Sequence, residues 1–463
     1  MSLLVVLAAL AFLVFVAYRG FSVILFAPVA ALGAVLFTDP SLVAPMFTGV
    51  FMEKLVGFVK LYFPVFLLGA VFGKVIELSG FSKAIVSAVI RIVGRERAML
   101  CIVVVGALLT YGGVSLFVVV FAVYPFAAEM FRQGDLPKRL IPGTIALGAF
   151  TFTMDALPGS PQIQNIIPTT FFHTTTYAAP WLGVVGAVWV LATGYAYLEW
   201  QRRRALAAGE GYGTELVNEP APFADEKLPH PAVAILPLLV VGVANKVFTV
   251  LIPKLYGATH DFVPTGAAKP VTTQIAGVVA IWAVLAALLL GILTVVATAW
   301  RPVMARFAEG SKAAIAGALL ASLNTATEYG FGGVIAALPG FALIADGLRR
   351  IPNVLVNEAI TVSALAGVTG SASGGMSIAL AAMADTFTRS AQVANIPPEV
   401  LHRVAAMASG GMDTLPHNGA VITLLAVTGL THRSSYRDIL ALTAIKTSAV
   451  FVVIAVYYAT GLV

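Results

Sequence analysis

Met154-Asp155-Ala156-Leu157-Pro158-Gly159-Ser160-Pro161 lies in the middle of an apolar segment, 139–172. Met412-Asp413-Thr414-Leu415-Pro416-His417-Asn418-Gly419 lies in the middle of another, 400–430. Proline lacks a backbone N–H and pushes the residue before it out of the α region, so each segment reads as a helix that breaks at its centre. The two motifs are 412 − 154 = 258 residues apart. Two further pairs keep that interval. Gly112-Gly113-Val114-Ser115 matches Gly374-Gly375-Met376-Ser377 (374 − 112 = 262), and Phe72-Gly73-Lys74-Val75-Ile76 matches Phe331-Gly332-Gly333-Val334-Ile335 (331 − 72 = 259). Three matches in one order at one spacing mark an internal duplication.

The composition says where such a chain lives. Of 463 residues, 59% are apolar and 11% charged, against about 25% charged in a soluble protein. The mean hydropathy is +0.94, which excludes a soluble globular domain and a disordered chain. The net charge is 28 − 22 = +6, with the basic residues in short groups between apolar stretches. That distribution suits a bilayer surface, not a nucleic-acid groove. The single cysteine, Cys101, lies in an apolar run and offers neither an internal disulfide nor a metal site.

A membrane span needs roughly 20 apolar residues. Spans are expected near 3–18, 20–38, 46–78, 139–172 and 176–200, then near 232–253, 271–299, 313–345, 400–430 and 437–461. The first has no basic n-region and no small-residue cleavage site, so it reads as a span and not as a removable leader. The stretch 201–231 opens with Arg202, Arg203 and Arg204 and continues through Gly, Glu, Asp and Pro, as a flexible linker does. It divides a first repeat, 1–200, from a second, 232–463. Basic residues prefer the cytoplasmic side. A cytoplasmic linker also places Arg19, Lys83–Arg97, Arg132–Arg139, Arg301–Lys312 and Arg433–Arg437 inside. It leaves Lys254, Lys269, Arg349, Arg350, Arg389 and Arg403 outside and both termini extracytoplasmic.

Two apolar stretches do not fit single crossings. Segment 99–131 has basic groups at both ends and paired glycines at its centre, so the chain must enter and return. Segment 358–388 has the same form, with Gly370-Ser371-Ala372-Ser373-Gly374-Gly375-Met376-Ser377 at its midpoint. The expected fold is therefore an all-α polytopic membrane protein. It has two inverted repeats of five crossings, each with a re-entrant helical hairpin and a broken transmembrane helix. Inverted repeats with interrupted helices in matching positions point to a secondary transporter and its binding site.

The stretches YGGVSLFVVVFAVYPFAAEMF (111–131), LIPGTIALGAFTFTMDALPGSPQIQNIIPTTFF (140–172) and SLNTATEYGFGGVIAALPGF (322–341) carry a resemblance. With essentially the whole chain, they resemble the gluconate permease (GntP) family of the ion transporter superfamily. The resemblance implies proton-coupled import of gluconate or another small hydroxycarboxylate, 3-hydroxybutyrate among them, across a bacterial cytoplasmic membrane. It also implies a scaffold domain that forms a homodimer and a transport domain with two opposed hairpins that moves as an elevator. Sodium-coupled dicarboxylate relatives use Ser-Asn-Thr at the hairpin tips. This chain has Gly-Gly-Val-Ser and Gly-Gly-Met-Ser, which sets it apart from sodium use.

Hairpin tips and broken helices that meet near the midplane aim free N–H groups and positive dipole ends into one cavity, a natural carboxylate site. Gly112, Gly113, Val114, Ser115, Gly159, Ser160, Gln162, Ser373, Gly374, Gly375, Ser377, His417 and Asn418 are its expected lining, with Ser371, Gln164 and Asn165 nearby. The glycines would let backbone approach the substrate, or only make the turns. Asp155 and Asp413 stand out, because a charge at the bilayer centre costs about 2.5–3.5 kcal/mol. Each could bind substrate, carry the coupled proton or cap the interrupted helix. Glu328 lies in an apolar segment whose first-half counterpart near Leu68–Gly69 is uncharged, so it suits a proton or substrate role as well as a structural one. His173 is expected at the outer surface. No cofactor or metal site is expected.

An intramembrane aspartyl protease built on Asp155 and Asp413 is the main alternative. It leaves the mirrored hairpins unexplained, as does a serine protease built on Ser373 or Ser377 with His417. A channel would want a continuous polar stripe or a charged ring, and neither is evident. The chain reads as a carrier for a small organic anion, not as an enzyme.

Overall fold

The computed structural model describes residues 2–19, 21–213, 217–220, 228–265, 270–349, 351–416 and 418–463. His417, Lys269 and Arg350 lie outside the described residues.

The first half begins with α1 (Ser2–Tyr18) and α2 (Val23–Thr38). A one-turn helix α3 (Val43–Met46) and a π-helical turn over Phe47–Met52 lead into α4 (Glu53–Leu78). The amphipathic α5 (Phe81–Val93) precedes a hairpin of α6 (Ala98–Tyr111) and α7 (Leu116–Gln133). The broken helix follows as α8 (Ile141–Ala149), the single turn α9 (Phe152–Asp155) and α10 (Ile163–Phe172), and α11 (Pro180–Ala207) closes the unit. The second half runs α12 (Pro231–Tyr256), an antiparallel β1 (Thr259–Phe262) and β2 (Val271–Gln274), α13 (Val279–Thr298), α14 (Trp300–Ala337) and α15 (Pro339–Arg349). Its hairpin is α16 (Val354–Thr369) and α17 (Ala372–Val393). Its broken helix is α18 (Pro398–Gly411) and α19 (Gly419–Thr428), and α20 (His432–Thr460) ends the chain. Among the described residues, five stretches are long and apolar enough to cross a membrane: Pro40–Leu78, α11, α12, α13 and α20.

The chain is thus an all-α polytopic membrane protein, and its packing repeats across the halves. α4 and α14 lie along each other. α2 packs on α14 as α13 packs on α4, and α1 meets α15 as α12 meets α5. α6 packs on α8 as α16 packs on α18. The halves interlock where α10 packs on α17 and α19 on α7. Helices in a bilayer gain little from hiding apolar surface and rely on small residues for close approach. The duplicated Phe-Gly motif serves this end. A Cβ on Gly73 of α4 would touch Val114, Ser115 and Val118 of the first hairpin, and one on Gly332 of α14 would press into Ile378 of the second. The adjacent Phe72 and Phe331 are both fully buried.

Several expectations need correction. The segment 313–345 is not one crossing. α14 starts earlier, at Trp300, and ends at Ala337, because Leu338 precedes Pro339 and takes an extended conformation (ψ 142°). The start of 271–299 is the strand β2, not helix. The second hairpin turns at Gly370, which has φ +66°, so Gly374, Gly375, Met376 and Ser377 sit in the first turns of α17 and not at the turn. Arg403, expected outside, is fully buried. The linker begins only after α11 ends at Ala207, and its described parts are docked. Arg139 pairs with Glu210 (2.6 Å), Lys138 with Glu219 (2.7 Å) and Arg132 with Glu219, while Tyr212 N–H donates to Asp135 (2.9 Å).

Candidate functional site

The first hairpin turns through Gly113, whose φ of +96° only glycine adopts without strain. Ser115 follows as the half-buried residue before α7. Gln162 occupies the same place before α10, and its side-chain amide donates to the Thr110 carbonyl (2.7 Å) and the Val114 carbonyl (3.3 Å). Tyr111 adds a hydrogen bond to the Pro158 carbonyl (2.8 Å). The first hairpin tip is therefore tied to the first break, and the N-termini of α7 and α10 lie side by side.

The second half repeats the tie. Asn418 caps α19 by accepting from the N–H groups of Ala420 (2.7 Å) and Val421 (3.1 Å), and its amide donates to the Gly370 carbonyl at the hairpin turn (2.6 Å). Ser371 caps α17 by accepting from Gly374 N–H (3.0 Å). The N-termini of α17 and α19 thus adjoin. Neither Asp155 nor Asp413 caps a broken helix, since Asn418 holds that place in the second half and Gln162 occupies it in the first.

Asp155 and Asp413 instead share a buried charge cluster. Lys446 of α20 donates to Asp413 Oδ1 (2.6 Å) and to the Phe150 carbonyl at the end of α8 (2.9 Å). The Asp155 carboxylate lies against Gly410, where a Cβ would overlap Oδ2, and feels both Lys446 and Arg403. Arg403 donates to the carbonyls of Asp155 (2.8 Å) and Ala178 (3.2 and 2.7 Å) and to Asn165 Oδ1 (3.1 Å). Asn165 Oδ1 also stands 3.2 Å from His402 Nε2, so that nitrogen carries the ring proton and Nδ1 accepts from Thr174 (2.6 Å). Asn165 Nδ2 donates to the carbonyls of Ser160 (2.9 Å) and Thr176 (2.8 Å). The cluster thus holds two cations and two carboxylates, and both cations also donate to backbone carbonyls.

A third group lies where α14 meets the second hairpin. The Glu328 carboxylate lies beside Ser371 and against Gly374, where a Cβ would overlap it. Thr325 Oγ1 is 3.2 Å from Ser373 Oγ. Ser377 is fully buried, one turn further along α17.

The remaining expected residues are placed as follows. Gly112 ends α6 and packs on Leu238 of α12, leaving no room for a ligand there. Gly159 has φ +78° and backs onto the Tyr177 ring. Ser160 is buried and donates to the Thr153 carbonyl (2.7 Å). Gly375 packs on the Ala366 backbone between the two hairpin helices. His173 is exposed at the end of α10. Sequence reasoning missed Lys446, His402, Arg403 as a buried group, and Glu358. A lone lysine in the apolar segment 437–461 was the available signal for the first.

No family model matches the chain. It is 60% identical to the uncharacterized transporter YxjC of Bacillus subtilis (strain 168), over an alignment of 472 positions that covers all of both chains. The crystal structure of the YdaH transporter of Alcanivorax borkumensis, described as having an unusual topology, superposes with a TM-score of 0.54 at 14% identity. That match covers 92% of this chain and 90% of the other, a likeness of fold.

Proposed function

The chain belongs to the transporter family of Bacillus subtilis YxjC, and on that premise we propose that it is a proton symporter importing a small hydroxycarboxylate. The observation that carries this reading is the paired tie of tip to break. In each half an amide side chain, Gln162 or Asn418, holds a hairpin tip against a broken helix, so two helix N-termini adjoin. α10 packs on α17 and α19 on α7, so the elements that carry the two ties pack across the halves. Such N-termini present free N–H groups and partial positive charge, and together they suit one carboxylate. Ser115, Gln162, Ser371 and Ser373, all half-buried there, supply hydroxyl and amide groups for a hydroxy acid.

The resemblance of 111–131, 140–172 and 322–341 to gluconate permeases supports gluconate or 3-hydroxybutyrate as cargo and protons as the coupling ion. It equally supports a homodimer of scaffold domains with an elevator-type movement of the hairpins in a bacterial cytoplasmic membrane. Glu328, against the second tip and without a basic partner among the described residues, is the proton carrier in this reading. The Asp155–Asp413–Lys446–Arg403 cluster, balanced in charge, is its fixed frame. The bond from Lys446 to Asp413 also tells against a protease dyad, which needs two carboxyls facing each other across a substrate.

Purified protein in liposomes, given labelled gluconate and 3-hydroxybutyrate under an inward proton gradient, tests the reading. Accumulation that collapses with a protonophore and ignores sodium is expected. Accumulation that requires sodium overturns the coupling ion, and equilibration without accumulation overturns symport.

A further inference from the structure

The side-chain oxygens that are buried and lack a hydrogen-bonding partner among the described residues belong to Gln164, Asn245, Ser322, Glu328, Glu358 and Ser377. Four of these six residues lie on α14 or the second hairpin, whereas the charge cluster at the breaks contributes none. Glu358 is the extreme case. It is 0% exposed, and neither carboxylate oxygen has a hydrogen-bonding partner among the described residues.

Packing orders these groups along one seam. α14 and α17 run side by side in the same direction, since Thr325 meets Ser373, Glu328 meets Gly374 and Gly332 meets Ile378. α16 runs back along α17, with Gly375 pressed on Ala366. Glu358 lies eight residues before Ala366, about 12 Å toward the hairpin base. It shares a helix face with Val362 and Leu365, which leads to that contact. Ser377 lies on α17 between the level of Glu328 and that of Glu358.

No charge on the helices packed against α16 meets Glu358 among the described residues. On α17, Asp385 and Arg389 are exposed. On α18, His402 and Arg403 are engaged with Thr174, Asn165, Asp155 and Ala178, and Glu399 is a partly exposed residue of the first turn. On α20, Lys446 and Asp438 are paired, and His432, Arg433 and Arg437 are exposed. α1 carries no charge, and the side chains of Asp346 and Arg349 on α15 are outside those described.

We propose that Glu358 is a second proton-binding carboxyl, so that protons are held at both ends of the second hairpin, on Glu328 of α14 beside its tip and on Glu358 of α16 near its base, with Ser377 between them. A carboxylate buried without a partner is costly as an anion and inexpensive as a neutral acid. Protonation therefore permits the hairpin to bury Glu358, and an opening of the hairpin toward water releases the proton. The inference rests on the symport reading and extends it from the tip to the whole hairpin.

Infrared difference spectra of the lipid-reconstituted protein, taken between acid and alkaline pH, test the assignment without a substrate. One carboxylic-acid carbonyl band is expected to vanish in Glu358→Gln and a different one in Glu328→Gln. A spectrum unchanged in Glu358→Gln overturns the proposal. With labelled 3-hydroxybutyrate and gluconate, Glu358→Gln is expected to lose gradient-driven accumulation. The exchange that persists should no longer respond to pH, and Glu358→Asp, which keeps a titratable group, should regain part of the accumulation. Wild-type accumulation by Glu358→Gln overturns the proposal, as does a Glu358→Asp variant no better than Glu358→Gln at equal thermal stability. A wild-type protein that accumulates neither acid refutes the symport reading, and the infrared bands then decide the assignment by themselves.

Discussion

Lys446 and Asp413 bury opposite charges within α20 and the second break, joined at 2.6 Å. Removing one partner of a buried pair leaves the other uncompensated, at a cost of about 3–5 kcal/mol. Asp413→Asn and Lys446→Met are therefore each expected to lower the thermal unfolding midpoint of the purified protein. The double variant should recover part of the loss, and additive losses would show that the two side chains act separately. Neighbouring glycines separate function from packing. A Cβ on Gly374 would meet the flexible end of Glu328, whereas one on Gly375 would meet the Ala366 backbone. Gly374→Ala should keep wild-type stability and lose proton-driven uptake, while Gly375→Ala should unfold at markedly lower temperature. Thermal melts beside uptake assays distinguish the two. At this scale the sequence showed Asp155, Asp413 and Glu328 plainly, as charges in apolar runs. Arg403 was hidden because it follows the hydrophilic Arg389–Glu399 region and reads as the border of a span. Only the folded chain brings the carbonyls of Asp155 and Ala178 to it.

Among the elements, hairpins and broken helices were legible because apolar length, flanking charge and proline placement each have a direct backbone consequence. The position of the second turn was not legible. A glycine in sequence does not disclose whether it supplies a positive φ, as Gly370 does, or a bare surface for a neighbouring helix, as Gly374 and Gly375 do. The Gly-Gly match with 112–113 therefore aligned residues that do different work. The ties from Gln162 and Asn418 were also hidden, since both are long-range contacts with backbone carbonyls. Asn418→Ala removes a helix cap, worth about 1 kcal/mol, together with the link to Gly370. It is expected to weaken affinity for the transported acid more than Gln162→Ala, which removes a tie but no cap bond. Substrate titrations of uptake in the two variants check the order.

Across the whole molecule, the linker read as flexible from its composition, yet its described parts bind the base of the first hairpin. Arg139 holds the Glu210 carboxyl below its ordinary value by a direct hydrogen bond. Burial raises Glu219, but Lys138 and Arg132 lower it further. Carboxyls depressed in the folded state stabilise the docked linker above their unfolded value of about 4.3 and lose that contribution as pH falls through the lower folded value. Cleavage of 201–231 by pepsin should therefore accelerate as pH falls below that range. Glu210→Gln should speed cleavage at the upper end, where the native linker still resists, and identical digestion profiles would show that the ion pairs do not hold it.

Arg403 also bears on how the protein is made. Its guanidinium serves carbonyls at Ala178 and Asp155, 225 and 248 residues earlier in the chain, and Lys446 serves Phe150, 296 residues earlier. At a synthesis rate of roughly 5–20 residues per second, the first 225 of those residues take about 11–45 s. Throughout that interval the nascent first half carries carbonyls whose partners in the folded protein have not yet been made. Biogenesis must therefore include a waiting state, shielded by insertase or by water, and the second half arrives as the first half's missing solvent.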